Sequence, residues 1–155
     1  MVLFVAKFCF LVGKIRKVQQ MHFWCLERSG NPLFLSHKIK NYNAKCEDVI
    51  PKIVKEEASK TDNLAIVLDP PRKGCDIKVI SAIKESNVNK IVYVSCMPST
   101  LARDVGLLAG TLEVKDGQIV KAENPKIQYE IEFIKPFDMF PETKHVETLV
   151  SLKRV

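Results

Sequence analysis

The sequence predicts an α/β protein whose parallel strands alternate with helices and whose sheet is finished by an antiparallel carboxyl-terminal pair. Three observations carry the prediction. Two apolar runs, residues 64–68 and 90–95, each end abruptly before a turn that contains proline. The segments around them repeat apolar residues at helical spacing. Two later stretches, YEIEFIKPF and HVETLVSLKRV, alternate apolar and polar residues instead.

The elements follow in order. CEDVIPKIVKEEASK sets Val49, Ile50, Ile53 and Val54 on one face of an amphipathic helix. NLAIVLDPP is a strand of the kind buried on both faces in a parallel sheet, and it stops at Asp69-Pro70-Pro71. Asp76 is placed to cap a helix whose Ile77, Ile80 and Ile83 share a face and which ends near residues 87–89. Residues 90–95 repeat the buried-strand pattern, and Pro98 opens a helix through Leu101, Val105 and Leu108. The order helix, strand, helix, strand, helix gives an open parallel sheet. After Gly110, Asp116-Gly117 between two short β-prone runs signals a hairpin, and the two alternating stretches follow as antiparallel strands.

With 155 residues, 46% hydrophobic and 27% charged, the chain has the composition of one globular domain with a core rather than of a disordered protein. The formal charge is +6, and its excess lies entirely in residues 1–60, which hold 11 Lys and Arg against 5 Asp and Glu; residues 61–155 hold 13 of each. Such a flank is more commonly a solvated basic surface, and it is also compatible with an anionic partner such as RNA. The five cysteines, Cys9, Cys25, Cys46, Cys75 and Cys96, show no CxxC or His-paired spacing, so neither a zinc site nor a disulfide framework is signalled. Reduced thiols point to a cytoplasmic protein. The apolar start, MVLFVAKFCFLVG, is broken by Lys7 and is shorter than the ~20 residues of a bilayer span, so no membrane association is expected. Its charges follow the apolar run rather than precede it, which disfavours a secretory signal. One acid, Glu27, against eight bases in residues 1–46 gives an organellar transit peptide as the weaker alternative.

In open parallel sheets ligands collect at the carboxyl ends of the strands, and Asp69 and Cys96 fall there. The two prolines stiffen the turn that holds Asp69, though an ordinary capping aspartate would look the same. Cys96 lies at a strand-to-helix junction, where a helix amino terminus favours a thiolate; a small buried hydrophobe is the equal alternative. DMFPETKHVET offers Asp138, Glu142, His145 and Glu147 as candidate bases, and pattern alone does not choose among them or exclude a solvated turn.

Three motifs, DPPRKGC (residues 69–75), VYVSCMPSTLARD (92–104) and DMFPETKHVE (138–147), resemble in order the carboxyl-terminal motifs of the RNA 5-methyluridine methyltransferases. These enzymes use S-adenosylmethionine to methylate uridine C5 in tRNA or rRNA. The resemblance covers residues 38–155, with 1–37 set apart as a diverged or unrelated segment. It implies a partial Rossmann-like methyltransferase sheet, Cys96 as the nucleophile that adds to uracil C6, Glu147 as the base that removes the C5 proton, Asp69 as an acidic residue against the cofactor, and no metal.

The sequence departs from the family pattern in places. Met97 stands where Asn is usual, removing a good helix cap, and Glu142 stands where His is common. Gly13 and Gly30 are the only glycines before Gly74, and neither sits in the glycine-rich turn that cradles the cofactor in the family. Two functions are therefore carried forward: an RNA uracil-C5 methyltransferase, and a catalytically inactive fragment that at most binds RNA or a partner. A truncated sheet would leave an edge for a completing protein chain. A cysteine hydrolase built on Cys96 and His145 lacks an orienting Asn or Asp at suitable spacing.

Overall fold

The computed structural model describes residues 2–6, 22–26, 42, 44–61 and 63–155. Among the described residues eight strands and three helices follow one another as β1 (Val2–Ala6), β2 (His22–Leu26), α1 (Cys46–Ala58), β3 (Leu64–Asp69), α2 (Ile77–Glu85), β4 (Val88–Ser95), α3 (Pro98–Ala109), β5 (Leu112–Lys115), β6 (Gln118–Lys121), β7 (Tyr129–Phe137) and β8 (Glu147–Arg154). A six-stranded sheet has the order β2-β1-β3-β4-β8-β7. β3 and β4 run parallel, and β8 and β7 close the far side antiparallel, as the sequence patterns predict; β1 also runs parallel to β3. The edge of β3, open in the sequence patterns, carries β1, with β2 antiparallel outside it. Both of those strands come from residues 1–37.

Each helix has a local cause. The Asp76 side chain accepts from the backbone N–H of Lys78 at 2.9 Å and starts α2 as expected. Pro98 supplies the preset φ for the first turn of α3, and Gly110, at φ 88°, ends it in the left-handed region. α2 stops at Glu85 rather than near residues 87–89, and β4 begins at Val88. The hydroxyl of Tyr129 donates to the Val88 carbonyl at 2.8 Å and the Arg154 guanidinium to that of Ser86 at 2.6 Å, which fixes the crossover from helix to strand. Asp116 and Gly117, both at positive φ, form the two-residue turn between β5 and β6.

The three helices pack on one face of the sheet. Ile50, Ile53 and Val54 of α1, Val79, Ile80 and Ile83 of α2, and Leu101, Val105 and Leu108 of α3 share a single core with Leu64, Ile66, Leu68, Ile91, Tyr93, Val150 and Leu152. Burial along β3 alternates: Leu64, Ile66 and Leu68 are buried, whereas Ala65, Val67 and Asp69 are only partly so. The expectation that β3 is buried on both faces is thus corrected, because the described helices supply one layer.

β7 also departs from simple alternation. A bulge between Ile131 and Phe133 leaves Glu132 unpaired in the ladder, with its carboxylate accepting from Ser151 Oγ at 2.7 Å and paired to Lys90 Nζ at 2.9 Å. Beyond it Phe133, Lys135 and Phe137 register with Ser151, Leu149 and Glu147 on the face away from the helices.

Candidate functional site

Asp69 is the last residue of β3, Cys96 follows the last residue of β4, and Glu147 is the first residue of β8. β8 runs antiparallel to β4, so its start lies beside the end of β4. The register pairs Ser95 with Thr148, and carried one step further it sets Cys96 opposite Glu147. Leu68 pairs with Tyr93, which brings Asp69 level with Val94. Strand alternation then assigns Asp69 and Glu147 to the face opposite the helices, since Leu68 and Val150 point into the core, and Cys96 begins the bend at the end of the strand between them. Residues 69, 96 and 147, separated by up to 78 positions in sequence, lie at the same end of three neighbouring strands.

The electrostatics agree with that placement. Burial, and after it the charge of Glu147, raises the Asp69 carboxyl above the usual carboxylate range. Cys96 is half-buried and its thiol is free. Met97 caps α3 in an extended conformation without a side-chain hydrogen bond, as the missing Asn implied. Ser95 substitutes in part: its hydroxyl oxygen accepts from the Met97 N–H at 3.1 Å, which shapes the bend carrying Cys96. Of the other sequence candidates, Asp138, Glu142 and His145 are exposed in the β7–β8 connection. Among the described residues no group of three or more His, Cys, Asp or Glu side chains is arranged to hold a metal.

Behind these residues lies a polar cluster that the sequence patterns assigned no role. Asp104 is fully buried, and its carboxylate accepts from Tyr93 Oη at 2.5 Å, from the Cys75 N–H at 2.6 Å and from Arg103 Nε at 2.7 Å. Burial, with the Cys75 thiol and Asp104 nearby, drives the Tyr93 hydroxyl pKa upward, so it remains a donor. The signal in the sequence was an aspartate three residues after Leu101 on the apolar face of α3. A cleft of about 530 Å³ between α1 and α2, lined by Pro51, Lys55, Ser59 and Glu85 among others, lies at the opposite, amino-terminal ends of β3 and β4. No helix among the described residues is long and apolar enough to cross a membrane.

The family model described as tRNA (Uracil-5-)-methyltransferase matches residues 57–155. An uncharacterized RNA methyltransferase of Listeria innocua is 44% identical over 110 residues, covering 71% of this chain and 20% of that protein. One of Clostridium acetobutylicum is 40% identical over 111 residues, covering 72% and 20%. The chain thus spans about a fifth of the length of the curated relatives it matches. Among solved structures, the Pyrococcus abyssi tRNA (uracil-54, C5)-methyltransferase in complex with S-adenosyl-L-homocysteine is 33% identical, covers 57% of this chain and 18% of its own, and superposes with a TM-score of 0.43.

Proposed function

This chain belongs to the tRNA (uracil-5-)-methyltransferase family, and from that premise we propose that its three converging residues carry out C5 methylation of a uridine in tRNA or rRNA. The observation that supports this most directly is the pairing of Ser95 with Thr148, which places the adjacent residues Cys96 and Glu147 together at the carboxyl end of the parallel strands.

Uracil C5 is a weak nucleophile until something adds at C6. The Cys96 thiolate attacks C6, the C5–C6 double bond opens, and the electron pair is delocalised over C5 and the C4 carbonyl as an enolate. S-adenosylmethionine, when bound, would supply the electrophilic methyl group that C5 takes, its methyl–sulfonium bond breaking to leave the neutral thioether. Glu147 then accepts the C5 proton, the electron pair re-forms the C5–C6 double bond, the C6–S bond breaks, and Cys96 leaves as thiolate. A base opposite the nucleophile fits this last step, because the proton lost and the sulfur lost sit on adjacent ring atoms. Asp69, half-buried at the end of β3, fits the side of a positively charged donor. Residues 38–155 form the unit to which these roles belong in this reading, with RNA as the macromolecular partner.

The alternative is that the chain binds RNA or a partner protein without catalysis; its match to about 20% of the relatives' length is the observation that keeps it in view. One assay separates the two: incubation with S-adenosylmethionine and 5-fluorouridine-substituted RNA, beside Cys96→Ala. Fluorine at C5 does not leave as a proton does, so turnover stalls at the cysteine-linked adduct. A cofactor-dependent shifted band that Cys96→Ala abolishes is the expected result. Folded protein that gives no band with either tRNA or rRNA transcripts overturns the methyltransferase reading in favour of the alternative.

A further inference from the structure

Arg103 and Asp104 take no part in the chemistry above, yet they join the two loops that present it. The loop after Asp69 is stiffened at once by Pro70-Pro71 and turns through a hydrogen bond from the Gly74 N–H to the Pro71 carbonyl at 2.8 Å. The stretch after Cys96 becomes α3 within two residues. Three ties connect them. The Thr100 hydroxyl lies 2.9 Å from the Arg72 carbonyl and 3.1 Å from that of Met97, next to Cys96. Arg103 Nη2 donates to the Lys73 carbonyl at 2.9 Å. The Asp104 carboxylate accepts from the Cys75 N–H and, with its other donors, from Tyr93 in the middle of β4. Gly74, at φ 81°, has no room for a side chain: a Cβ there would collide with the Arg103 guanidinium and the Asp104 carboxylate.

We infer that Arg103 and Asp104 are positioning residues that set where the Asp69 carboxylate stands relative to the Cys96 thiol; the inference rests on the roles proposed for those two residues. A fully buried carboxylate paired with a partly exposed guanidinium is a poor way to gain stability alone, since apolar side chains of similar volume commonly serve as well or better. What the pair adds is geometry. A guanidinium fork and a carboxylate with fixed lone-pair directions hold the Lys73 carbonyl and the Cys75 N–H at defined distances from α3, and the Thr100 hydroxyl of the same helix holds the Arg72 carbonyl, which follows Asp69 closely along a stiff turn.

The test uses Arg103→Lys, which keeps the charge and loses the fork, and Thr100→Val, which removes one hydroxyl while leaving Asp104 and its partners intact. Two quantities are read in variants shown to be folded by circular dichroism: formation of the 5-fluorouridine RNA adduct, and the titration of Asp69 followed by its carboxyl carbon in NMR, which needs no activity. Arg103→Lys is expected to slow adduct formation by about 100-fold, the scale of an ångström of misplacement, with RNA affinity unchanged, and to move the Asp69 midpoint. Thr100→Val is expected to move both in the same direction by less, and it carries the test alone if Arg103→Lys does not fold. Folded variants with the wild-type Asp69 titration overturn the inference. A shifted titration in the variants, with no adduct even in wild type, upholds the positioning role and removes the methyltransferase reading.

Discussion

The charge of Glu147, the first residue of β8, reaches Asp69, the last residue of β3, across the intervening end of β4, and adds to the larger effect of burial in raising the Asp69 carboxyl. A carboxyl raised in this way keeps its proton to higher pH folded than unfolded. Its contribution to stability is complete below the unfolded value of about 3.9 and is lost as pH rises through the folded value. Asp69→Asn is therefore expected to gain stability relative to wild type as pH rises from 4 to 7, with little difference at pH 4. Urea unfolding at pH 4, 5.5 and 7 measures this, and a pH-independent difference would contradict it. Glu147→Gln removes the second cause and should lower the Asp69 midpoint without returning it to the ordinary range.

Two of the free cysteines should be nearly inert. Burial pushes the thiols of Cys46 and Cys75 up to about 12, so at pH 8.5 only about one molecule in three thousand carries a thiolate at either position, against about half for an ordinary cysteine. Iodoacetamide should label both on the order of a thousandfold more slowly than a cysteine in the unfolded chain, with rates rising about tenfold per pH unit and no plateau below pH 11. Peptide mapping by mass spectrometry reads each site separately. Ordinary labelling of Cys75 would place its thiol outside the cluster around Asp104.

Met97→Asn should stabilise the protein. The residue already has the extended conformation of a helix cap, with φ −133° and ψ 98°, but its side chain makes no capping bond. An asparagine oxygen would accept from the free N–H groups of the first turn of α3, worth about 1 kcal/mol. A rise in the urea midpoint with an unchanged slope is the expected observation. No gain would mean that the Ser95 and Thr100 hydroxyls already organise that turn.

What the sequence made legible was whatever rests on neighbours in the chain. Strands β3 and β4, the Asp76 cap, the opening of α3 at Pro98 and the Asp116-Gly117 turn each follow from a few adjacent residues, and the structure has them where the patterns put them. Asp69 and Cys96 at strand ends follow in the same way. The distant pairings were not legible from periodicity. Opposing Cys96 to Glu147 requires the register of β8 on β4, and an aspartate on the apolar face of α3 acquires its meaning only from a backbone N–H 29 residues earlier. The bulge at Glu132 was hidden for a related reason, since YEIEFIKPF alternates without visible interruption and the extra residue is accommodated through Ser151 and Lys90 on two other strands.

Tyr129 provides the control that separates stability from positioning. It is buried at the start of β7, donates to the Val88 carbonyl at 2.8 Å, and accepts from Arg154 at 3.1 Å, all at the end of the sheet opposite Asp69 and Cys96. Tyr129→Phe keeps the ring and its packing but strips the Val88 carbonyl of a donor in a buried setting, a loss of about 1–3 kcal/mol. Chemical denaturation should show that loss, while the Asp69 titration of the folded variant stays at its wild-type midpoint. Arg103→Lys is expected to change the titration, so the two substitutions divide the molecule: one weakens the fold without moving the site, and the other moves the site while the protein remains folded. A shifted Asp69 midpoint in Tyr129→Phe would mean instead that β4 transmits displacement along its whole length, and that the Asp104 cluster is one anchor among several.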